Sequence, residues 1–180
     1  ESSVIHTAET SVIVVKRYDR FVSSGQHHRI HQEDFCQVLA IQPHLKYQSE
    51  GGPSLENIAQ MIWENASDAY EDVRSFADAQ MLNYIIAGTD AHAKNYSLLL
   101  LGNSMVQLAP LYDIASALPY PHIFNPHKVR LAMKIGSEYH FKKIELAHWQ
   151  ACAKQLRIPP DEFLDRFQDL TTRIQELAPT

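Results

Sequence analysis

A polar loop set between apolar segments is the sequence feature that most constrains this chain. Residues 89–95 read Thr-Asp-Ala-His-Ala-Lys-Asn, and two strand-like runs follow them. The runs are separated by Gly-Asn-Ser at 102–104, which is typical of a three-residue hairpin loop because Gly and Asn tolerate positive φ. A hairpin brings the chain back close to where it started. We therefore expect Asp113, just after the second run, to return beside Asp90 and Asn95.

Two carboxylates and an amide that converge at one hairpin have the chemistry for magnesium-dependent phosphoryl transfer. Mg²⁺ takes oxygen ligands, usually one or two from the protein and the rest from phosphates and water. One Asp and the Asn could supply these, and the other Asp could accept the proton of an attacking hydroxyl. Lys94 could offset charge on the transferring group. The structural alternative is an Asp that caps a turn and an Asn that stabilises a left-handed bend.

Composition places the chain among ordinary globular proteins. It has 180 residues, 45% of them hydrophobic and 21% charged, which is enough for one domain with a core. The net charge of −5 argues against a broad nucleic-acid-binding surface, which needs clustered Lys and Arg. Cys36 and Cys152 form no CxxC pattern, and no apolar run approaches the ~20 residues that cross a bilayer. We expect a soluble, cytoplasmic protein without membrane or direct nucleic-acid contacts.

Residue periodicity predicts a mainly α protein with a small β component. The β-branched run at 12–18 is typical of a buried strand, although the sequence before it offers no obvious pairing partner. The polar stretch at 23–28 favours a loop, and apolar spacing predicts a short helix over 32–40.

Three further helical regions and one more strand are predicted. Ser54 has the character of an N-cap for an amphipathic helix, and a longer helix over 72–87 is expected to end in a glycine cap at Gly88. The run at 129–135 favours a strand or an irregular edge. Apolar stripes interrupted by two prolines predict the C-terminal helices at 145–178.

The spacing of the polar residues matches a known pattern. Asp90 and Asn95 stand five positions apart, as Asp and Asn do in the protein-kinase catalytic loop, and a hairpin then leads to a second Asp within Leu-Tyr-Asp. The stretch 88–95, Gly-Thr-Asp-Ala-His-Ala-Lys-Asn, and the stretch 108–114, Leu-Ala-Pro-Leu-Tyr-Asp-Ile, together closely resemble the HipA family of bacterial toxin kinases.

Other segments agree with this resemblance in the same order. Lys-Arg-Tyr-Asp-Arg at 16–20 is similar to the hinge of the family, and the segments at 31–37 and 46–53 are similar to its characteristic stretch beyond the hinge. The resemblance covers most of 12–135. It implies a protein-kinase-like C-lobe over 1–180, a helical subdomain with a catalytic-loop β-hairpin.

The resemblance also implies where the functional parts lie. The hinge strand would occupy 12–20, and the catalytic loop with its metal-binding hairpin would occupy 90–113. Asp90 would be the catalytic base, and Asn95 and Asp113 would hold Mg²⁺. The other ATP-binding residues would contact either the phosphates or, through backbone groups, the adenine: His92, Lys94 and Tyr112 for the phosphates, Lys16 and Tyr18 for the adenine.

Substrates and partners are implied in the same way. Members of the family phosphorylate protein serines, with aminoacyl-tRNA synthetases among their targets. They pair with a DNA-binding antitoxin of the HipB type. The chain would thus be an ATP- and Mg²⁺-dependent serine/threonine kinase, the toxin of a toxin–antitoxin system.

One departure from the family pattern shapes the expectation. Such kinases need a phosphate-covering loop and a nucleotide-anchoring lysine upstream of the hinge strand, and neither stands before residue 12. Because half of the ATP clamp would be missing, activity of this chain alone is in doubt, and a separate N-terminal lobe would be a partner. The alternatives are a non-catalytic kinase remnant that binds a partner, or a metal-dependent phosphohydrolase using the same carboxylates.

Overall fold

A computed structural model describes residues 2–120, 122 and 124–177, and divides them into two units. The first runs to His31 and the second begins at Gln32. Over the described residues the chain has nine strands and five α-helices. The architecture is therefore mixed α/β rather than mainly α with a small β component, because residues 2–6 and the stretch expected to be a loop at 23–28 both take part in hairpins.

The strands form four small sheets. They are β1 (Ser2–His6), β2 (Ser11–Val15), β3 (Arg20–Ser23), β4 (Gln26–Arg29), β5 (His31–Asp34), β6 (Ser97–Leu100), β7 (Val106–Leu108), β8 (Arg130–Ile135) and β9 (Glu138–His140). The sheets have the orders β1-β2, β3-β4, β5-β6-β7 and β8-β9.

The helices lie between and after these strands. They are α1 (Phe35–Val38), α2 (Leu55–Asn65), α3 (Ala69–Ile85), α4 (Leu146–Leu156) and α5 (Pro160–Leu177). The last two confirm the predicted C-terminal helices, whose expected final residue, Ala178, lies outside the described part of the chain. Over that part, no helix is both long and apolar enough to pass through a lipid bilayer.

Two antiparallel hairpins make up the first unit, and they correct two expectations. β2 has a pairing partner after all, since Ser2 stands opposite Val15 and His6 opposite Ser11. Every residue of β1 and β2 is exposed, so the run is not a buried strand. A two-stranded ribbon covers neither of its own faces, and β-branched residues favour the extended backbone whether or not they are buried.

The second hairpin replaces the loop expected at 23–28. Ser24 and Gly25 have φ of 51° and 75°, which matches a two-residue turn with positive φ at both central positions. β3 and β4 pair across this turn, with Arg20 opposite Arg29. A loop of two residues, rather than six, is sufficient because the turn's twist matches that of the strands.

Asp19 is a buried carboxylate of the first unit that forms ion pairs with three arginines. Arg17 donates to both of its oxygens, at 2.8 and 2.7 Å, and Arg20 donates to Oδ2 at 2.5 Å. Nε of Arg29 lies 3.7 Å from the same oxygen. The hydrogen bond from Arg17 is the largest influence on this carboxyl and lowers the pKa of Asp19 to about 2. The arginines of the hinge-like segment therefore serve ion pairing with Asp19.

The second unit opens with a strand where a helix over 32–40 was expected. β5 runs to Asp34, whose side chain then caps α1 by accepting from the N–H of Cys36 at 2.9 Å and of Gln37 at 3.1 Å. β5 lies beside β6. Asp34 caps the helix, as an acidic residue at that position can, but α1 begins at Phe35, three residues later than the apolar spacing implied.

Helices α2 to α5 enclose the core of the second unit. α2 packs on α3 and α4, and α5 packs on α3 and α4. Ser54 caps α2 by accepting from the N–H of Asn57 at 3.1 Å, which confirms that prediction. The largest fully buried side chains come from several elements: Phe35, Leu55, Ile58, Ile62, Phe76, Met81, Ile135, Leu156 and Phe163.

Helix α3 ends one residue earlier than its glycine suggests. Ala87, not Gly88, has the left-handed conformation, with φ of 52°. The N–H of Gly88 bonds to the carbonyl of Asn83 at 2.6 Å and that of Ala87 bonds to Tyr84 at 3.2 Å, which is a Schellman ending. Gly88 is needed for space instead, because a Cβ there would lie 2.5 Å from Oδ1 of Asn83.

The predicted hairpin after the polar loop is present. β6 and β7 pair antiparallel, with Leu98 opposite Leu108, and the N–H of Leu101 bonds to the carbonyl of Met105 at 2.8 Å. The positive φ angles in the loop belong to Asn103 and Ser104. Leu108 and Leu98 are buried, so one face of this ribbon joins the core while its end carries the chain toward Asp113.

Candidate active site

The polar loop is shaped by its own backbone and by Asn95. The carbonyl of Asp90 accepts from the N–H of His92 at 2.9 Å. A single 3₁₀ turn then covers Ala93–Asn95. Oδ1 of Asn95 accepts from the same N–H of His92 at 3.0 Å. The Asn side chain is buried, so it stabilises the loop from inside while its other amide atom faces the hairpin.

Asn95 and Asp113 meet as the sequence predicts. Nδ2 of Asn95 donates to Oδ2 of Asp113 at 2.7 Å. Asp113 has a φ of 55°, a left-handed conformation that Asp tolerates better than most residues. This backbone conformation occurs at the residue whose carboxylate contacts Asn95 of the polar loop.

Asp90 and Asp113 face the same small cleft. Its lining also includes Asn83, Gly88 and Ala115, and its volume is about 40 Å³. That is room for a water molecule or an ion rather than for an organic ligand. The hairpin thus brings both carboxylates of the predicted set to one place.

Tyr112 anchors the turn that carries Asp113. Its hydroxyl donates to the carbonyl of Lys94 at 2.8 Å and lies 2.5 Å from Oγ of Ser97. These bonds join the segment after β7 to the polar loop before β6. The hydroxyl therefore holds Asp113 against Asn95, and the predicted contact of Tyr112 with the phosphates stays a prediction.

Lys94 forms an ion pair that the sequence did not indicate. Its ammonium lies 2.6 Å from Oδ2 of Asp34, the residue that caps α1. About a third of the Lys94 side chain is exposed, against 14% of Asp34. The lysine is directed toward β5, and its predicted role beside the nucleotide phosphates stays a prediction.

His92 is the most enclosed titratable group of the loop. Only 6% of it is exposed, and its Nδ1 is buried without a hydrogen-bond partner among the described residues. Burial lowers the pKa of His92, and the positive charge of Lys46 lowers it further. Both effects disfavour the charged form of the ring, and the predicted contact of His92 with the phosphates stays a prediction.

Lys16 and Tyr18 belong to the first unit, between β2 and β3. Lys16 is exposed and Tyr18 half-buried. Their predicted backbone contacts with adenine stay predictions.

The donor set suits magnesium rather than a softer metal. Carboxylate and amide oxygens are hard ligands, and Mg²⁺ needs few of them because it keeps water and phosphate in its shell. No group of three His, Cys, Asp or Glu residues that could hold a metal occurs in the described ranges. Asp113 would offer an oxygen directly. Asn95 would use the second lone pair of Oδ1, since its first accepts from His92.

Tyr47 and Asp34 are functional candidates that the residue pattern did not single out as site residues. The hydroxyl of Tyr47 donates to Oδ1 of Asp90 at 2.5 Å, and Asp34 holds Lys94. Tyr47 lies 43 positions before Asp90, so no local spacing could connect them. The available signal was its place in a segment that resembles the same family.

Comparison with known proteins decides the family. A family model described as the HipA-like C-terminal domain matches residues 1–178. The chain belongs to the HipA-like family. The resemblance drawn from the polar loop and the Leu-Tyr-Asp segment is thereby confirmed.

Individual relatives carry kinase names. The chain is 38% identical over 144 residues to the provisionally named kinase Y4mE of Sinorhizobium fredii, covering 79% of this chain and 33% of that protein. It is 23% identical over 188 residues to the serine/threonine-protein kinase toxin HipA of Shewanella oneidensis, covering 96% of this chain and 42% of the toxin.

A solved structure has the same fold as this HipA-like chain. It is the Shewanella oneidensis HipA toxin in a complex with HipB and operator DNA, with a TM-score of 0.86 and 22% identity. The match covers 98% of this chain and 43% of that one. The chain therefore spans between a third and somewhat under half of the length of the relatives it matches.

Proposed function

We propose that this chain is the catalytic half of an ATP- and Mg²⁺-dependent serine/threonine protein kinase. The supporting observation is the 2.7 Å hydrogen bond from Asn95 to Asp113 beside a cleft that Asp113 shares with Asp90. An oxygen pair for an ion and a separate carboxylate for a proton are the two elements that phosphoryl transfer requires from this half of a kinase. Kinase names among its relatives agree with this assignment.

Each residue has a distinct part in the proposed reaction. Asn95 and Asp113 would hold Mg²⁺, which when bound would neutralise charge on the phosphates of ATP. Asp90 would accept the proton of the serine or threonine hydroxyl as that oxygen bonds to the γ-phosphorus and ADP departs. Lys94 would approach the phosphates if it left Asp34, and Lys16 and Tyr18 would meet the adenine through their backbone.

The partners we propose follow from the relatives. An upper lobe would complete the ATP clamp, whether in the same or a separate polypeptide. A HipB-type antitoxin would bind the toxin, since the matched HipA structure contains HipB. A protein would be the phosphoryl acceptor, with an aminoacyl-tRNA synthetase as the substrate that the family resemblance suggests.

Nucleotide binding tests the proposal directly. Calorimetry with ATP and Mg²⁺ should give measurable binding that Asp113→Ala removes. Asp169→Ala is the matched control, because this carboxylate lies 68% exposed on α5 and outside the cleft. Titrations without heat at high protein and nucleotide concentration would contradict the kinase assignment and favour a non-catalytic binding module. Release of phosphate from ATP without transfer to any protein would favour a phosphohydrolase.

A further inference from the structure

Tyr47 touches the proposed catalytic base, and the reaction described above gives it no part. Its hydroxyl donates a hydrogen bond of 2.5 Å to Oδ1 of Asp90. Asp90 itself is exposed at the tip of the polar loop. A carboxylate at such a position would sample several rotamers in water, and ordering its side chain needs a partner of fixed position.

Tyr47 has the fixed position that this contact needs. Its carbonyl accepts from the N–H of Glu50 at 3.0 Å and of Gly52 at 2.9 Å. A Cβ on Gly52 would lie 2.8 Å from that carbonyl, so the close approach requires glycine. The ammonium of Lys46 lies 5.0 Å from the centre of the Tyr47 ring. The ring of His92 meets it edge-on at 5.2 Å.

The segment of Tyr47 is also tied to the polar loop by its backbone. The N–H of Ala93 donates to the carbonyl of Lys46 at 3.3 Å. Ala93 is fully buried, and it opens the 3₁₀ turn that ends at Asn95. The tyrosine, the base and the proposed metal ligand are therefore held in one connected arrangement.

We propose that Tyr47 is a positioning residue, which holds Oδ1 of Asp90 so that Oδ2 faces the acceptor hydroxyl. This inference rests on the proposed kinase function. The acceptor oxygen forms its bond to the γ-phosphorus, its proton passes to Oδ2 of Asp90, and the bond from phosphorus to the departing oxygen of ADP breaks. Tyr47 donates its hydrogen bond throughout and transfers no proton.

The alternative is that Tyr47 occupies the place of the substrate and blocks the base. An ionised carboxylate has about four lone-pair positions on its two oxygens, so one donor on Oδ1 leaves Oδ2 free for another.

The hydrogen bond to Asp90 is the main influence that raises the pKa of Tyr47 to about 12. The phenol is thus protonated at working pH and serves as a constant donor.

The proposal is tested by steady-state kinetics of the Tyr47→Phe variant. The protein is purified in its native form, together with any polypeptide that stays bound to it. We expect kcat for protein phosphorylation to fall roughly 10- to 100-fold, with KM for ATP within about two-fold, because a misdirected base affects transfer and not nucleotide binding. Tyr70→Phe is the matched control. It also loses one tyrosine–carboxylate hydrogen bond, to Glu162 at 2.6 Å, but outside the site. Its kcat should stay within about two-fold of wild type.

A second measurement does not depend on turnover. The NMR signal of ¹³Cζ-labelled Tyr47, assigned by its loss in Tyr47→Phe, should shift in Asp90→Asn, because an amide oxygen accepts a hydrogen bond more weakly than a carboxylate oxygen. A Tyr47 signal that ignores Asp90 overturns the proposal.

The kinetic outcomes separate this inference from the function on which it rests. Normal transfer by wild type with kcat unchanged in Tyr47→Phe overturns the role of Tyr47 alone. A faster Tyr47→Phe also overturns it and shows that the tyrosine blocks the base. A wild-type protein that binds ATP and Mg²⁺ but phosphorylates no protein overturns the proposed function, and the positioning role with it.

Discussion

The side-chain amide of Asn95 links two parts of the chain that stand 18 positions apart. Its Nδ2 donates to Oδ2 of Asp113 at 2.7 Å while its Oδ1 accepts from the N–H of His92 at 3.0 Å. Among side chains of this size, an amide can donate to a carboxylate and accept from a backbone N–H at once. Asn95 therefore shapes the loop and places the second carboxylate with the same side chain.

Asn95→Asp should make the folded protein dependent on a divalent ion. The new carboxylate keeps the bond from His92 but repels Asp113, so unfolding should be easier by about 1–3 kcal/mol without metal. Mg²⁺ should restore much of this loss by neutralising the pair. Differential scanning calorimetry with and without Mg²⁺ measures both effects. Asn103→Asp, at the exposed tip of the hairpin, is the control, and an equal response in both variants would contradict the prediction.

Asp34→Asn should release Lys94 without removing the helix cap. The amide keeps an oxygen for the N–H groups of Cys36 and Gln37, so stability should change by less than about 1 kcal/mol. The freed ammonium could then approach the phosphates, and ATP should bind several-fold more tightly in calorimetry. Lys94→Met in the same background should cancel the gain. An affinity unaffected by Asp34→Asn would show that the ion pair does not restrain Lys94.

Asp19 should make the β3–β4 hairpin sensitive to acid. The pKa of about 2 in the folded state lies below the ordinary value of 3.8, so its stabilising effect is present above about pH 4 and is lost as pH falls toward 2. Amide hydrogen exchange in β4 should therefore accelerate between pH 4 and 2 more than the intrinsic chemistry predicts. In Asp19→Asn the free energy of opening measured by exchange in β4 should be lower by about 1–2 kcal/mol at pH 6. The additional acceleration between pH 4 and 2 should be absent in this variant.

Gly88→Ala should destabilise the end of α3 through crowding. The added Cβ would lie 2.5 Å from Oδ1 of Asn83, whose Nδ2 donates to the hydroxyl of Tyr96 at 2.9 Å. We expect a loss of about 1–3 kcal/mol in urea unfolding. Gly102→Ala is the control, since a Cβ there meets no atom within 4 Å. Equal stability of the two variants would contradict the account of Gly88.

Local patterns in the sequence predicted the elements whose causes are local. Ser54 caps α2, and the ribbon β6–β7 forms around 102–104, because a capping side chain and a turn act within a few residues. Asp113 returned beside Asn95 for the same reason, since a hairpin dictates where its second strand ends. The contact between Asn95 and Asp113 in the candidate site was therefore predictable from the order of residues alone.

Other features could not be read from neighbouring residues. Burial of 12–18 was expected from its β-branched composition, yet β-branched residues favour an extended backbone in a hairpin that is exposed as well as in a core. The left-handed residue at the end of α3 is Ala87, and the glycine at the next position instead meets the close approach of Asn83. Both outcomes depend on what lies nearby in space.

The sequence by itself determined the polar loop, the ribbon that follows it and the meeting of Asn95 with Asp113, since these depend on contacts over short stretches of chain. Only the tertiary structure decided that Tyr47 holds Asp90 and that Asp34 holds Lys94. Those partners are 43 and 60 positions apart. Such contacts arise because the packing of separate elements brings distant side chains together, and no local spacing encodes that distance.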